Sequence, residues 1–305
     1  MRISDEMSKI VSSKKVLITG IDSFTGRHLE PYLKSKGFEV YGTVLERNSC
    51  ENHFVCDIRK KDDILKIIKK TRADFIIHLA GISYVGNEDI RLLFDINLFG
   101  CVNLLDAVCE AKLIPKKIIL PSSAVVYGNQ HSEILDEEMC PNPINPYANS
   151  KNAMENAAKG YFKEFPVVIT RPFNYIGKYQ NENFVVPKII KHYKEKKREI
   201  ELGNIDVKRE FNDIRFVVDA YYHLMIEPVH SQIVNICTSK GISLSQILEI
   251  MNRLSGYEID VKVNPKFVRK NEIKSLVGSN KKLFEIIKNP KLYTLEETLR
   301  EIFEE

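Results

Sequence analysis

Over residues 15–172, short apolar runs alternate with stretches of helical periodicity. Lys15 to Gly20, with Val, Leu and Ile in sequence and a closing glycine, reads as a buried parallel strand. Apolar positions through Leu29 and Leu33 then predict a helix that Gly37 closes. Phe38 to Val44 and Asp74 to Gly81 read as further strands, with a charged amphipathic helix from Lys61 to Lys70 between them. Asp89 to Cys109 reads as a long helix with Leu93, Ile96, Asn97, Gly100, Leu104 and Val108 at helical spacing. Lys117 to Ser123 is the next strand, a polar loop (Asn129 to Pro146) leads to a helix starting near Tyr147, and Pro166 to Arg171 is another buried strand. Strands alternating with helices predict an α/β protein on a doubly wound parallel sheet.

After Pro172 the rhythm loosens. A helix from Val185 to Lys197, a strand from Glu199 to Leu202, strands at Ile233 to Ile236 and Ile259 to Val263, and helices at Leu244 to Leu254 and Leu295 to Phe303 predict a smaller C-terminal α/β domain. The expected organisation is a polar tail (1–14), a sheet domain (15–172) and a smaller domain (mainly 173–305), with strands free to cross back over the boundary.

Composition narrows this picture only slightly. The chain has 305 residues and a net charge of +4 from 45 basic and 41 acidic residues, which makes no case for nucleic-acid binding. The six cysteines show no C-x-x-C spacing and read as reduced residues of a cytoplasmic protein. Met1 to Lys15 lacks a signal-peptide core, and no apolar run approaches the ~20 residues of a membrane span.

Candidate chemistry begins at Thr19-Gly20-x-x-Ser23-x-x-Gly26, between a strand and a helix, where a dinucleotide pyrophosphate rests on a helix N-terminus. Gly20, Ser23, Phe24, Thr25 and Gly26 are the expected contacts, which makes the sheet domain a Rossmann dinucleotide-binding unit. Ser23 stands where such a turn normally has glycine, adding bulk and a hydroxyl donor. At the end of the second strand Val44 takes the place where an acid would favour NAD, while Arg47 and Ser49 suit a 2′-phosphate. NADP(H) is therefore favoured, and Glu46 keeps NAD(H) open. Asp57 and Ile58 are expected at the adenine, and Leu79, Ala80 and Gly81 beside the cofactor.

Tyr147 and Lys151 lie one helical turn apart, so a cation can stabilise a phenolate on the same face. An unperturbed tyrosine titrates near pH ~10, and only a charged neighbour and burial make it a useful acid or base. With the glycine turn, Ser122-Ser123-Ala124-Val125-Val126-Tyr127-Gly128 and Tyr147 to Lys151 in this order, the chain resembles the extended short-chain dehydrogenase/reductase superfamily of nucleotide-sugar epimerases, dehydratases and reductases. The resemblance covers nearly everything from Lys15 onward. It implies that Tyr147 is the catalytic acid/base and that Lys151 binds the nicotinamide ribose while lowering the tyrosine pKa. It further implies that Ser123 hydrogen-bonds the reacting sugar oxygen.

Sugar dehydratases of this superfamily carry an acidic pair after the catalytic hydroxyl. Here those positions are Ala124 and Val125, which disfavours elimination. Arg171 to Gly177, Leu202 to Asp213 and Arg269 to Asn280 resemble the GDP-4-keto-6-deoxy-D-mannose reductases. That resemblance places Asn174, Arg209 and Arg269 on the substrate diphosphate, Glu272 on a ribose hydroxyl, and Ser83, Ser123, Val186 and Lys188 among the other substrate contacts, with no metal. The expected activity is reduction of the C4 ketone of a nucleotide-linked 4-keto-6-deoxyhexose, GDP-linked favoured. A C4 epimerase with resident NAD is the alternative, and a non-catalytic NADP-binding regulator is more remote. A homodimer through Leu92, Phe99, Ala153, Ala157 and Tyr161 is expected from the resemblance.

Overall fold

The structure is a computed structural model that describes residues 14–83, 86, 89–268 and 273–304. In chain order the first half comprises β1 (Lys15–Thr19), α1 (Phe24–Ser35), β2 (Glu39–Val44), β3 (His53–Val55), α2 (Lys61–Thr71), β4 (Phe75–His78), α3 (Ile90–Phe94), α4 (Gly100–Glu110), β5 (Lys117–Pro121), α5 (Pro146–Lys159) and β6 (Val167–Pro172). The second half continues with β7 (Tyr175–Ile176), α6 (Val185–Lys194), β8 (Glu199–Leu202), β9 (Lys208–Arg209), β10 (Asn212–Asp213), α7 (Ile214–Ile226), β11 (Gln232–Ile236), α8 (Leu244–Ser255), β12 (Asp260–Val263), β13 (Ser275–Leu276), α9 (Lys281–Ile286) and α10 (Leu295–Phe303).

Seven strands form one parallel sheet in the order β11-β6-β5-β4-β1-β2-β3. The apolar runs do not alternate because both faces are covered. Val16, Ile18 and Ile77 pack under α1 and α7, while Leu17 and Ile76 pack under α2, α4 and α5. Each such side chain, fully removed from water, contributes about 1.5–3 kcal/mol. The strand order reverses between β1 and β4, which opens a crevice at the carboxyl ends of the strands, the place where open α/β sheets bind ligands.

Two segments from beyond Pro172 return to this sheet: β11 pairs with β6, and α7 covers one face. The core outside the sheet is formed by α6, α8 and α10 with the β8–β12 pair.

The helix expected at Asp89 to Cys109 is interrupted. A π turn over Asp95–Phe99 joins α3 to α4 and buries Asn97 to 2% exposure. Ile90–Glu110 is also long and apolar enough to cross a membrane, unlike the sequence expectation. Its apolar residues serve the core instead: Leu104, Leu105 and Val108 are fully buried with side chains of α2 and α5. On the expected seam Phe99 is 53% exposed, whereas the Tyr161 hydroxyl donates to Asp106 of its own chain (2.6 Å).

Candidate active site

The turn after β1 is shaped by contacts that leave no room for side chains. Gly20 has φ +65°, and a Cβ there would lie 2.8 Å from the Ala80 backbone; a Cβ on Gly26 would lie 2.2 Å from the Ile21 carbonyl oxygen. Thr19 locks the turn to the end of β4, since its hydroxyl lies 2.8 Å from His78 Nδ1 and accepts from Ala80 N–H (3.2 Å). Burial pushes the His78 imidazole down to about 3, so this link stays neutral.

Ser23 is the N-cap of α1, and its hydroxyl accepts from Gly26 N–H (3.2 Å). It thus serves first as a helix cap, satisfying one of the orphan donors of the first turn, and its own O–H stays available to donate. Thr25 bonds the Tyr175 hydroxyl (2.8 Å), and Phe24 stacks on the Tyr175 ring with centroids 5.7 Å apart. At the adenosine end Val44 is buried and Arg47 exposed in the loop after β2. Asp57 accepts from the Arg59 guanidinium (2.7 Å), which holds its carboxyl below the usual range, and Ile58 is core, packed beneath Gly100.

Tyr147 lies in the first turn of α5. Pro146 starts this helix, and Asn145 caps it by accepting from Ala148 N–H (2.8 Å). Ser123 caps the short 3-10 turn Ala124–Tyr127, and its hydroxyl lies near the Tyr147 phenol. Lys151 follows one turn later on the same face, donating to Pro121 O (2.9 Å). A Cβ on Gly81 would stand 3.6 Å from its Nζ, so the ammonium borders the backbone that ends β4.

The electrostatics differ from the expected tuning. Burial pushes the Tyr147 phenol up to about 12, with the nearby Ser123 hydroxyl opposing, and pushes Lys151 down to about 8. Desolvation dominates both groups. The sign is clear for Lys151: its charged form is full below about 8 and lost above. Activity that needs the ammonium should fall as pH rises through about 8, while the phenol keeps its proton. A pH profile of kcat/KM that stays flat through that region would contradict this.

On the opposite side of the crevice, Asn174 is exposed after β6, and its carbonyl accepts from Asn212 N–H (2.9 Å), joining β7 and β10. Arg209 on β9 donates to the Ile273 and Lys208 carbonyls (2.5 and 2.8 Å). Lys188 donates to Glu201 O (2.8 Å) and lies over the Phe267 ring at 4.5 Å. Val186 corrects the expectation: it is 1% exposed, because the helical period turns it with Ile189, Ile190 and Tyr193 into the core of the C-terminal half. Ser83 is exposed in the loop after β4. Arg269 and Glu272 lie outside the described residues.

Residues 16–237 match the NAD dependent epimerase/dehydratase family. The chain belongs to that family. It is 32% identical over 292 residues to the GDP-6-deoxy-D-talose 4-dehydrogenase of Aggregatibacter actinomycetemcomitans, covering 95% of this chain and 96% of that protein. It is 28% identical over 301 residues to the GDP-6-deoxy-D-mannose reductase of Pseudomonas aeruginosa, covering 95% and 96%. The structure of RMD from Pseudomonas aeruginosa complexed with NADPH superposes with a TM-score of 0.84 at 27% identity, covering 96% of this chain and 98% of that one.

The family's nicotinamide dinucleotide fits this crevice. Neither Gly20 nor Gly26 could carry a side chain, the first turn of α1 presents its amides there, and Gly81 leaves open backbone beside the Lys151 ammonium. The matched segment contains the glycine turn, Ser123, Tyr147 and Lys151, and it ends just after β11 completes the sheet.

Asn97 supports the site without having been assigned to it from the sequence. Its Oδ1 accepts from Ile82 N–H (2.9 Å), and its Nδ2 donates to Ile82 O (3.2 Å) and to Ser150 Oγ (3.0 Å). Ser150 in turn donates to Tyr147 O (2.8 Å). The available signal was an asparagine on an otherwise apolar helix face, since buried amides are kept only where their hydrogen bonds are satisfied.

Proposed function

We propose that the protein is an NAD(P)-dependent nucleotide-sugar oxidoreductase that reduces the C4 ketone of a nucleotide-linked 4-keto-6-deoxyhexose, GDP-linked and with NADPH, using Tyr147 as proton donor. One observation carries the reading. The Ser123–Tyr147 hydroxyl pair stands beside Lys151, and the positions after Ser123 are the buried Ala124 and half-buried Val125, neither able to move a second proton. That arrangement suits redox chemistry at one carbon rather than elimination. The relatives support it, for D-talose and D-mannose differ at C4, where reduction of a C4 ketone sets the configuration.

When bound, the reduced nicotinamide supplies the hydride. The chain supplies the rest. Ser123 donates a hydrogen bond to the ketone oxygen, and Tyr147 hands its proton to the developing alkoxide. The Lys151 ammonium holds the ribose side and offsets charge left on the phenol. Arg209, with Arg269 beyond the described residues, would grip the substrate diphosphate through charge-assisted bonds. Arg47 would meet the 2′-phosphate of NADPH.

Incubation with GDP-, dTDP-, UDP- and CDP-linked 4-keto-6-deoxyhexoses and NADPH tests this directly. Fastest NADPH loss with the GDP-linked ketone is expected. Tightly held NAD(H) on the purified protein, with turnover of a nucleotide sugar without added cofactor, would replace the reading with C4 epimerisation.

A further inference from the structure

Glu155 on α5 and Arg171 on β6 form an ion pair with side chains 0% and 1% exposed. Arg171 Nε and Nη2 donate to the two carboxylate oxygens (2.9 and 2.7 Å). Removing two charges from water costs several kcal/mol per ion, and apolar residues of similar volume often fold as well or better. Stability therefore does not account for this pair, and the elements it joins suggest another role.

Glu155 lies one turn beyond Lys151 and two beyond Tyr147, on the same face of α5. The Arg171 guanidinium sits 4.6 Å from the ring centre of Tyr127, the last residue of the 3-10 turn that Ser123 caps. The Tyr127 hydroxyl donates to Asn235 Oδ1 on β11 (2.7 Å), and Asn235 donates onward to Leu135 O (3.1 Å) and Glu137 Oε1 (2.7 Å) in the loop that leads to α5. A single buried chain of contacts thus connects the helix bearing Tyr147 and Lys151 to the turn bearing Ser123.

We propose that Glu155, Arg171 and Tyr127 are positioning residues that fix the Ser123 turn against the Tyr147–Lys151 helix and so set the hydroxyl-to-phenol geometry of proton transfer. The proposal rests on the proton-transfer role assigned above. Its leverage is geometric, because a displacement of about 1 Å at a reacting pair can cost ~10²-fold in rate. The Glu155 carboxylate also opposes the burial that drives Lys151 down, which keeps the ammonium charged to a higher pH.

The test is the double variant Glu155→Leu/Arg171→Leu, which removes both charges together. Its Tm should stay near or above that of the parent protein. Hydrogen exchange should quicken by about tenfold in peptides spanning 123–127 and 146–151. On a reducible keto sugar, kcat should fall by roughly 10- to 100-fold, with the KM for NADPH within about twofold. A folded double variant with parental exchange in both peptides and parental kcat overturns the proposal. Should the double variant not fold, Arg171→Lys keeps the charge but loses the two-point grip, and the same drop in kcat and loss of protection is expected; parental behaviour of Arg171→Lys overturns it equally. The exchange measurement needs no substrate, so a parent protein that reduces no keto sugar removes the functional reading while the brace is still judged.

Discussion

Tyr147→Phe is expected to lower kcat by about 10²- to 10⁴-fold, the range for loss of a positioned general acid. NADPH affinity and Tm should stay near parental values. The ring is 5% exposed and keeps its packing in the variant, and only the hydroxyl near Ser123 is removed. A fall in kcat without a matching rise in KM would place the loss in the transition state rather than in binding. Parental NADPH consumption by Tyr147→Phe with the GDP-linked ketone would exclude Tyr147 as the proton donor.

Gly26→Ala should be nearly as damaging, through the cofactor rather than the proton. The added methyl would lie 2.2 Å from Ile21 O and 2.6 Å from its carbonyl carbon, and backbone cannot swing aside as a flexible side chain can. Ile21 itself is 1% exposed and donates to Thr43 O (3.0 Å), so the turn has nowhere to retreat. Overpacking of this kind costs about 1–3 kcal/mol. It also moves the first amides of α1 away from the pyrophosphate, so both Tm and NADPH affinity should fall. Ser23→Gly is the matching control: an N-cap serine changed to glycine costs only a few tenths of a kcal/mol, and NADPH should still bind. Thermal melts and NADPH titrations of the two variants measure the contrast, and parental NADPH binding by Gly26→Ala would show that the turn does not hold the cofactor.

The resemblance to the extended short-chain dehydrogenase/reductases was legible because its signals are local. A glycine that must lie against backbone, a hydroxyl at a strand end, and Tyr and Lys one helical turn apart each depend on a few adjacent residues. The same holds for the parallel sheet, whose strands announce themselves as unbroken apolar runs such as Val16 to Ile18. The substrate side was less legible. Val186 read as a nucleotide contact because its helix borders the crevice, yet that helix packs against Ile200 and Leu202 on the next strand, β8, and against Ile247 and Met251 on α8, far along the chain.

By itself, the amino-acid sequence determined the βαβ alternation and the helical spacing of Tyr147 and Lys151, and its resemblance to a family pointed to the glycine turn and to Ser123, since periodicity and spacing are short-range properties. Only the tertiary structure decided that β11 closes the sheet beside β6, that a π turn brings Asn97 against Ile82, and that Arg171 braces Glu155 over Tyr127. It also decided the protonation of the site, with the phenol raised and the ammonium lowered. These features depend on which distant segments exclude water from a given side chain, and desolvation is a property of the folded surroundings rather than of neighbours in sequence.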